Sequence, residues 1–132
     1  MRKVLQGLLL FLTCLLLTAA SLAAVDVTGT WTGTMSQKSD DGQATRAAIV
    51  FHLNQEGDQV TGTGGPPDEP PGPIREVKLE GNRLRFTVGG ASGPTWKFDL
   101  RVSRDSMWGH ADGRSASGRP FGTADVSLSR QK

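Results

Sequence analysis

Val27-Thr28-Gly29-Thr30-Trp31-Thr32-Gly33-Thr34-Met35 decides the fold of this chain. Every odd position in it is apolar or glycine and every even position is threonine. That is the period of two expected of a strand with one buried and one wet face. Threonine also suits the pleated backbone through its branched Cβ. Working outward from this stretch, the same alternation returns in Ala47, Ile49, Phe51 and Leu53, then in Val60, Gly62 and Gly64, and then in Val77 and Leu79. It continues through Leu84, Phe86 and Val88, through Trp96, Phe98, Leu100 and Val102, and through Met107, Gly109 and Ala111. Ala124, Val126 and Leu128 close the series. The pattern predicts an all-β fold, an eight-stranded antiparallel up-and-down barrel, with no helix in the mature chain.

Upstream of the pattern, residues 1–24 read as a signal peptide. Arg2 and Lys3 form a basic n-region, residues 8–17 are almost unbroken apolar sequence, and Ser21-Leu22-Ala23-Ala24 offers small residues to a peptidase. A retained anchor fits less well. Gln6, Gly7 and Thr13 interrupt the apolar run, which is shorter than the roughly 20 residues of a membrane span. Cys14, inside that run, leaves with the signal. Residues 25–132 are then a single β-barrel domain, secreted or periplasmic, without a stable membrane anchor after cleavage.

Removing Arg2 and Lys3 from the 15 basic residues leaves 13 against 13 acidic ones. A formally neutral mature domain offers no electrostatic case for nucleic acid as a partner. It also holds no cysteine, so core packing and a complete hydrogen-bond ladder have to stabilise it without disulfides.

Turn chemistry orients the barrel. Glu56-Gly57-Asp58, Gly81-Asn82 and Ser103-Arg104-Asp105 are short hairpin turns, whereas residues 36–45, 65–73, 89–94 and 112–120 are longer links. In a meander the links alternate between ends, so the short turns share one end and the longer loops the other. Leu53, Val60, Leu79, Leu84, Val102, Met107 and Leu128 fall inward near the short-turn end and form a floor. Gly33, Ala47, Gly64 and Ala111, with Met35, Trp96 and Phe121 around them, fall near the other. Two consequences stay open: a roomier mouth that holds a ligand, or glycines that serve only strand coiling in a filled barrel.

Gly29-x-Trp31 at the start of the first strand, with Arg130 ending the last, resembles the calycin pattern shared by lipocalin-like and avidin-like barrels. Closure makes those strands neighbours, which lets the cation lie across the indole. Gly29-Thr30-Trp31-Thr32, Thr61-Gly62-Thr63 and Trp96-Lys97-Phe98 fall in an order similar to the avidin-like branch. The chain has no tyrosine for that family's polar ligand cluster, so biotin binding is not implied. The Gly-Thr-Trp opening and Val60-Thr61-Gly62-Thr63 also resemble a small secreted bacterial β-domain of unassigned function, and that resemblance implies no activity.

Chemistry-bearing constellations are sparse. His52 and His110 take outward positions on different strands, with no carboxylates spaced to make a metal site. No Gly-x-Ser-x-Gly elbow is present, and Gly62-Thr63-Gly64-Gly65 lacks the Lys-Ser/Thr of a phosphate loop and reads as a strand end. No catalytic residue, metal or cofactor is expected, and the chain reads as a non-enzyme. The expected function is binding of a small apolar or amphipathic ligand at the long-loop end by Met35, Val88, Trp96 and Phe121, with Arg119 (or Arg46 or Arg114) meeting a polar or anionic tail. The alternative is a protein-interaction module such as a periplasmic protease inhibitor. The proline-rich stretch at residues 64–73 is a stiff connector, either a lid at the mouth or a plain spacer. Outward Trp108, with Val50 and His52 on the same wall, marks a face for an oligomer or protein partner.

Overall fold

The computed structural model of the chain describes residues 25–38, 42–89 and 93–132. The predicted signal peptide and Cys14 lie outside the described residues. Eight strands follow one another with no helix among the described residues: β1 (Gly29–Lys38), β2 (Ala44–Glu56), β3 (Gln59–Gly65), β4 (Gly72–Glu80), β5 (Arg83–Gly89), β6 (Thr95–Val102), β7 (Ser106–Arg114) and β8 (Pro120–Arg130). Each pairs antiparallel with its sequence neighbours, and β1 pairs with β8, so the meander closes. The short turns and the longer links occupy opposite ends, as the alternation of links requires.

Alternation sorts the side chains as expected. Trp31, Leu84, Leu100, Met107 and Leu128 are essentially inaccessible. Above them Phe51, Phe86 and Phe98 fill the barrel's waist. The Phe86 and Phe98 rings stack at 5.0 Å, and Phe51 meets both edge-on at 5.1 and 5.3 Å, separations in the favourable range for aromatic pairs. Gly64 exists for this cluster, because a Cβ there would stand 2.1 Å from the Phe51 ring. The space that the glycine leaves is therefore filled by aromatic carbon rather than open to a ligand.

The wall is uneven around β3. Its pairing with β2 runs from Val50↔Gly65 to Glu56↔Gln59, so residues 44–49 of β2 have β1 on one side and no strand on the other. On its far side β3 meets β4 at just Thr63↔Pro73 and Gly64↔Gly72. The complete ladder expected from closure is thus interrupted beside β3. Residues 58–61 and 74–80 border a cleft of about 530 Å³ that opens along this seam.

One bulge explains a strand misplaced by parity. Register on β5 shifts between Arg75 and Lys78, and Glu76 takes a left-handed φ of 53°. The extra residue flips the inward set from even to odd. Ile74 is therefore buried like Leu79 is half-buried, and β4 begins before the Val77-Leu79 alternation by which the sequence marks it.

Candidate functional site

The two ends of the barrel are built differently, and the floor is the more heavily bonded. Residues 25–28 cross beneath the barrel, and Val27 is wholly buried. Trp31 Nε1 donates to Val27 O at 2.9 Å, and Val27 N donates to Gln55 Oε1 at 2.9 Å. Gln55 N donates to Thr28 Oγ1 at 3.0 Å and its Nε2 to Gly57 O at 2.8 Å. The Arg130 guanidinium lies 4.4 Å from the Trp31 ring centroid and donates to Thr28 O, Asp26 O and Arg104 O. Gly29 has a φ of 142°, and a Cβ there would meet Arg130 Nη1 at 3.2 Å. The Gly-x-Trp motif is thus the local requirement of a cation laid over an indole. Asp26 accepts from Thr28 N at 3.0 Å, and that bond, with the Thr28 hydroxyl and then Arg130, holds its carboxyl below the usual carboxylate range.

The opposite end opens into an apolar cavity of about 270 Å³. Its base is Phe98, its walls are Met35, Ile49, Val88 and Trp96, and its lip is Gln37, Thr45, Ala47, Ala48, Gly65 and Pro66. Alternation puts the apolar residues there, since Met35 pairs with Ala47 and Val88 with Trp96 across neighbouring strands. The opening exists because β3 stops at Gly65 while β1 and β2 continue past it. No fully buried side-chain nitrogen or oxygen among the described residues lacks a partner.

The structure brings Met35, Val88 and Trp96 together on that cavity. Phe121 stands beside it: its ring meets Trp96 edge-on at 5.2 Å and packs on Gly113, at a bulge where β8 slips against β7. Arg119 is exposed on the β7–β8 link and does not line the cavity, while Arg114 there donates to Gly118 O at 3.0 Å. Phe98, Ile49, Gln37 and Pro66 also line it, with Thr45, Ala47, Ala48 and Gly65 at its lip, and none of these was expected as a ligand contact from sequence. Parity marks Ile49 and Phe98 as inward, but strand order alone does not tell which inward residues reach the mouth. Pro66 places the proline-rich link against the cavity at one point, and a turn closed by Glu69 N donating to Pro66 O follows it.

The outer wall is polar. A depression of about 390 Å³ over β4 to β7 includes Glu76, Lys78, Arg85, Lys97, Asp99 and His110. Beside it Arg83 Nε donates to Asp99 Oδ1 at 2.9 Å; this bond lowers the Asp99 pKa and raises that of Arg83. Thr87 is buried on this face and donates to Glu76 Oε2 at 3.2 Å, which anchors the β4 bulge. His52 is exposed, with Nδ1 3.1 Å from Thr30 Oγ1. Among the described residues no group of three or more His, Cys, Asp or Glu is placed to hold a metal ion.

Trp108 is half exposed, but Val50 and His52 do not share its wall. The register runs outward from Trp108 to Ser127, Thr34 and Ala48, so β8 and β1 stand between Trp108 and β2. Parity gives the face of a strand, whereas its neighbours around the barrel come from closure.

The closed eight-stranded meander, with Arg130 over Trp31, fits a calycin-like fold. No family model matches the chain, and no curated protein matches it. Among solved structures it is similar to Rv2717c from M. tuberculosis, with 12% identity and a TM-score of 0.49 over 80% of this chain and 93% of that one. It is also similar to the S-type phycobiliprotein lyase CPES from Guillardia theta, with 9% identity and a TM-score of 0.49 over 80% of this chain and 89% of that one. The architecture rests on the strand register, and neither likeness bears on activity.

Proposed function

We propose that the mature domain is an exported, non-enzymatic binding protein that takes a small apolar or amphipathic ligand at its long-loop end. The observation that carries this reading is the apolar cavity of about 270 Å³ bounded by Met35, Ile49, Val88, Trp96 and Phe98. Its volume falls just under the roughly 300 to 1,000 Å³ of drug-sized sites. The aromatic waist gives a ligand no deeper place to go. The cavity therefore suits a single ring or a short alkyl segment, with any polar end of the ligand left at the lip beside Gln37 and Thr45.

Native mass spectrometry of the chain recovered from its own host is expected to show a bound small molecule. Tryptophan fluorescence of the emptied protein is expected to shift on titration with medium-chain fatty acids or small aromatics, through Trp96. A clean apo mass, together with fluorescence unmoved across both classes, overturns the proposal.

A further inference from the structure

The free edge of β2 is a second feature of the mouth, distinct in chemistry from the cavity beneath it. Residues 44–49 pair with β1 alone. Ladder parity shows which backbone groups are left over. A Cβ on Gly62 would stand 2.0 Å from His52 O and one on Gly33 would stand 1.8 Å from Ser127 O, so His52 faces β3 and Thr34 faces β8. By the alternation of an antiparallel ladder, the odd residues of β2 bond β1, while Ala44, Arg46 and Ala48 turn their N–H and C=O toward the side where β3 has ended. These groups have no backbone partner among the described residues.

Edges of this kind are ordinarily blunted by charged side chains, by proline, by a bulge or by a covering loop; here Arg46 supplies one charge and Pro66 stands at the foot. This one carries small side chains at Ala44, Ala47 and Ala48 and is regular in register throughout. It spans roughly 20 Å, a usual strand length. The apolar cavity opens at its foot, with Ala47, Ala48 and Ile49 common to both. Lys38 and Arg46 stand exposed on the same hairpin and form no ion pair with a described residue.

We propose that this edge binds an extended polypeptide segment as an added strand, with one apolar side chain of the segment seated in the mouth cavity and acidic residues flanking it. A row of donors and acceptors repeating every second residue is matched by another strand and by few small molecules. A pocket beside such a row supplies the side-chain selection that strand addition uses. The two exposed cations set the charge of the preferred partner. This mode shares the cavity with the small-ligand reading but draws its affinity from the backbone, so the two are separable by experiment.

The probe is a capped, fluorescently labelled hexapeptide, Glu-Thr-Leu-Thr-Val-Glu, followed by anisotropy against the full mature domain. Two analogues carry N-methyl groups on alternate sets of amides and leave the side chains unchanged. The parent is expected to bind. The analogue methylated on the edge-facing amides is expected to bind at least tenfold more weakly, while the other analogue stays near the parent. Ala44→Pro removes one edge N–H without touching the β1 ladder. It is expected to weaken the parent peptide about tenfold and to leave binding of a single-ring aromatic probe, toluene, followed by tryptophan emission, unchanged, since Ala44 does not line the cavity. Equal affinity for both methylated analogues overturns the inference, because the cavity alone would then hold the side chain. So does an absence of binding by the parent while the aromatic probe still binds, an outcome that leaves the small-ligand reading intact. Concentration-dependent dimerisation abolished by Ala44→Pro also overturns it, in favour of a second copy on the edge.

Discussion

At the floor, Trp31, Val27, Gln55, Thr28 and Arg130 satisfy one another through a continuous set of hydrogen bonds and a cation–π contact. At the mouth, Trp96 is half-buried, meets Phe121 edge-on and faces an open apolar space. Both ends centre on an indole from a strand with the same alternation. What separates them is whether the chain beyond the strand folds back to cover it. Residues 25–28 do so beneath Trp31, whereas the early end of β3 leaves the space beside Trp96 uncovered. Hydrogen bonding is therefore concentrated at one end and the open apolar space at the other.

The most severe test of this contrast is Trp31→Ala. It is expected to cost about 3 to 5 kcal/mol in urea unfolding, the usual penalty for emptying a large buried aromatic site. If the protein loses ligand affinity but little stability, the contrast is reversed. Trp96→Ala is expected to cost less than Trp31→Ala, about 1 to 3 kcal/mol of stability, since its indole is part-solvated, while weakening a bound small apolar ligand about tenfold. Arg130→Ala is expected next, at about 1 to 2 kcal/mol, from the loss of the cation–π contact and of hydrogen bonds to Thr28, Asp26 and Arg104 carbonyls. Equal destabilisation by the Trp31 and Trp96 substitutions would mean that the mouth is core after all.

The smallest effect is electrostatic and bears on the floor and outer wall rather than the mouth. Asp26 and Asp99 are both held below the usual carboxylate range, by the Thr28 bonds and by Arg83 respectively. A carboxyl with a depressed native pKa favours folding above its unfolded pKa, about 3.9, and loses that contribution as pH falls through the native value. Thermal midpoints are expected to be insensitive to pH from about 7 down to 5 on this account and to fall below about 4. Asp99→Asn is expected to flatten that acid limb slightly, as measured by calorimetry across the pH series.

Much of the barrel was legible because a strand's two faces differ in polarity, and polarity is written in residue type. Period-two alternation places Trp31, Phe51, Leu84, Leu100, Val126 and Leu128 inside, and the turn residues put the short and long links at opposite ends. The floor's polar wiring was less legible. Gln55 sits on an inward position and looks like an interruption of the apolar pattern until its side chain is seen holding Val27. The mouth was legible in part: Met35, Val88 and Trp96 come together, but Phe98 and Ile49 depend on how far each strand rises, and Arg119 lies off the lining. The β4 bulge hid Ile74 for a related reason, because one extra residue inverts parity without any distinctive composition at Glu76.

By itself the sequence determined which residues form strands, which face each turns to the core, and that Gly29, Trp31 and Arg130 belong to one closure. These follow from local backbone geometry and from transfer of apolar groups out of water, and both act over a few residues. The tertiary structure alone decided that β3 is too short for its neighbours, that a cavity and a free β2 edge adjoin there, and that Trp108 lies far from Val50. Strand heights and neighbours around a barrel are set by register and closure between distant segments. No local pattern encodes them.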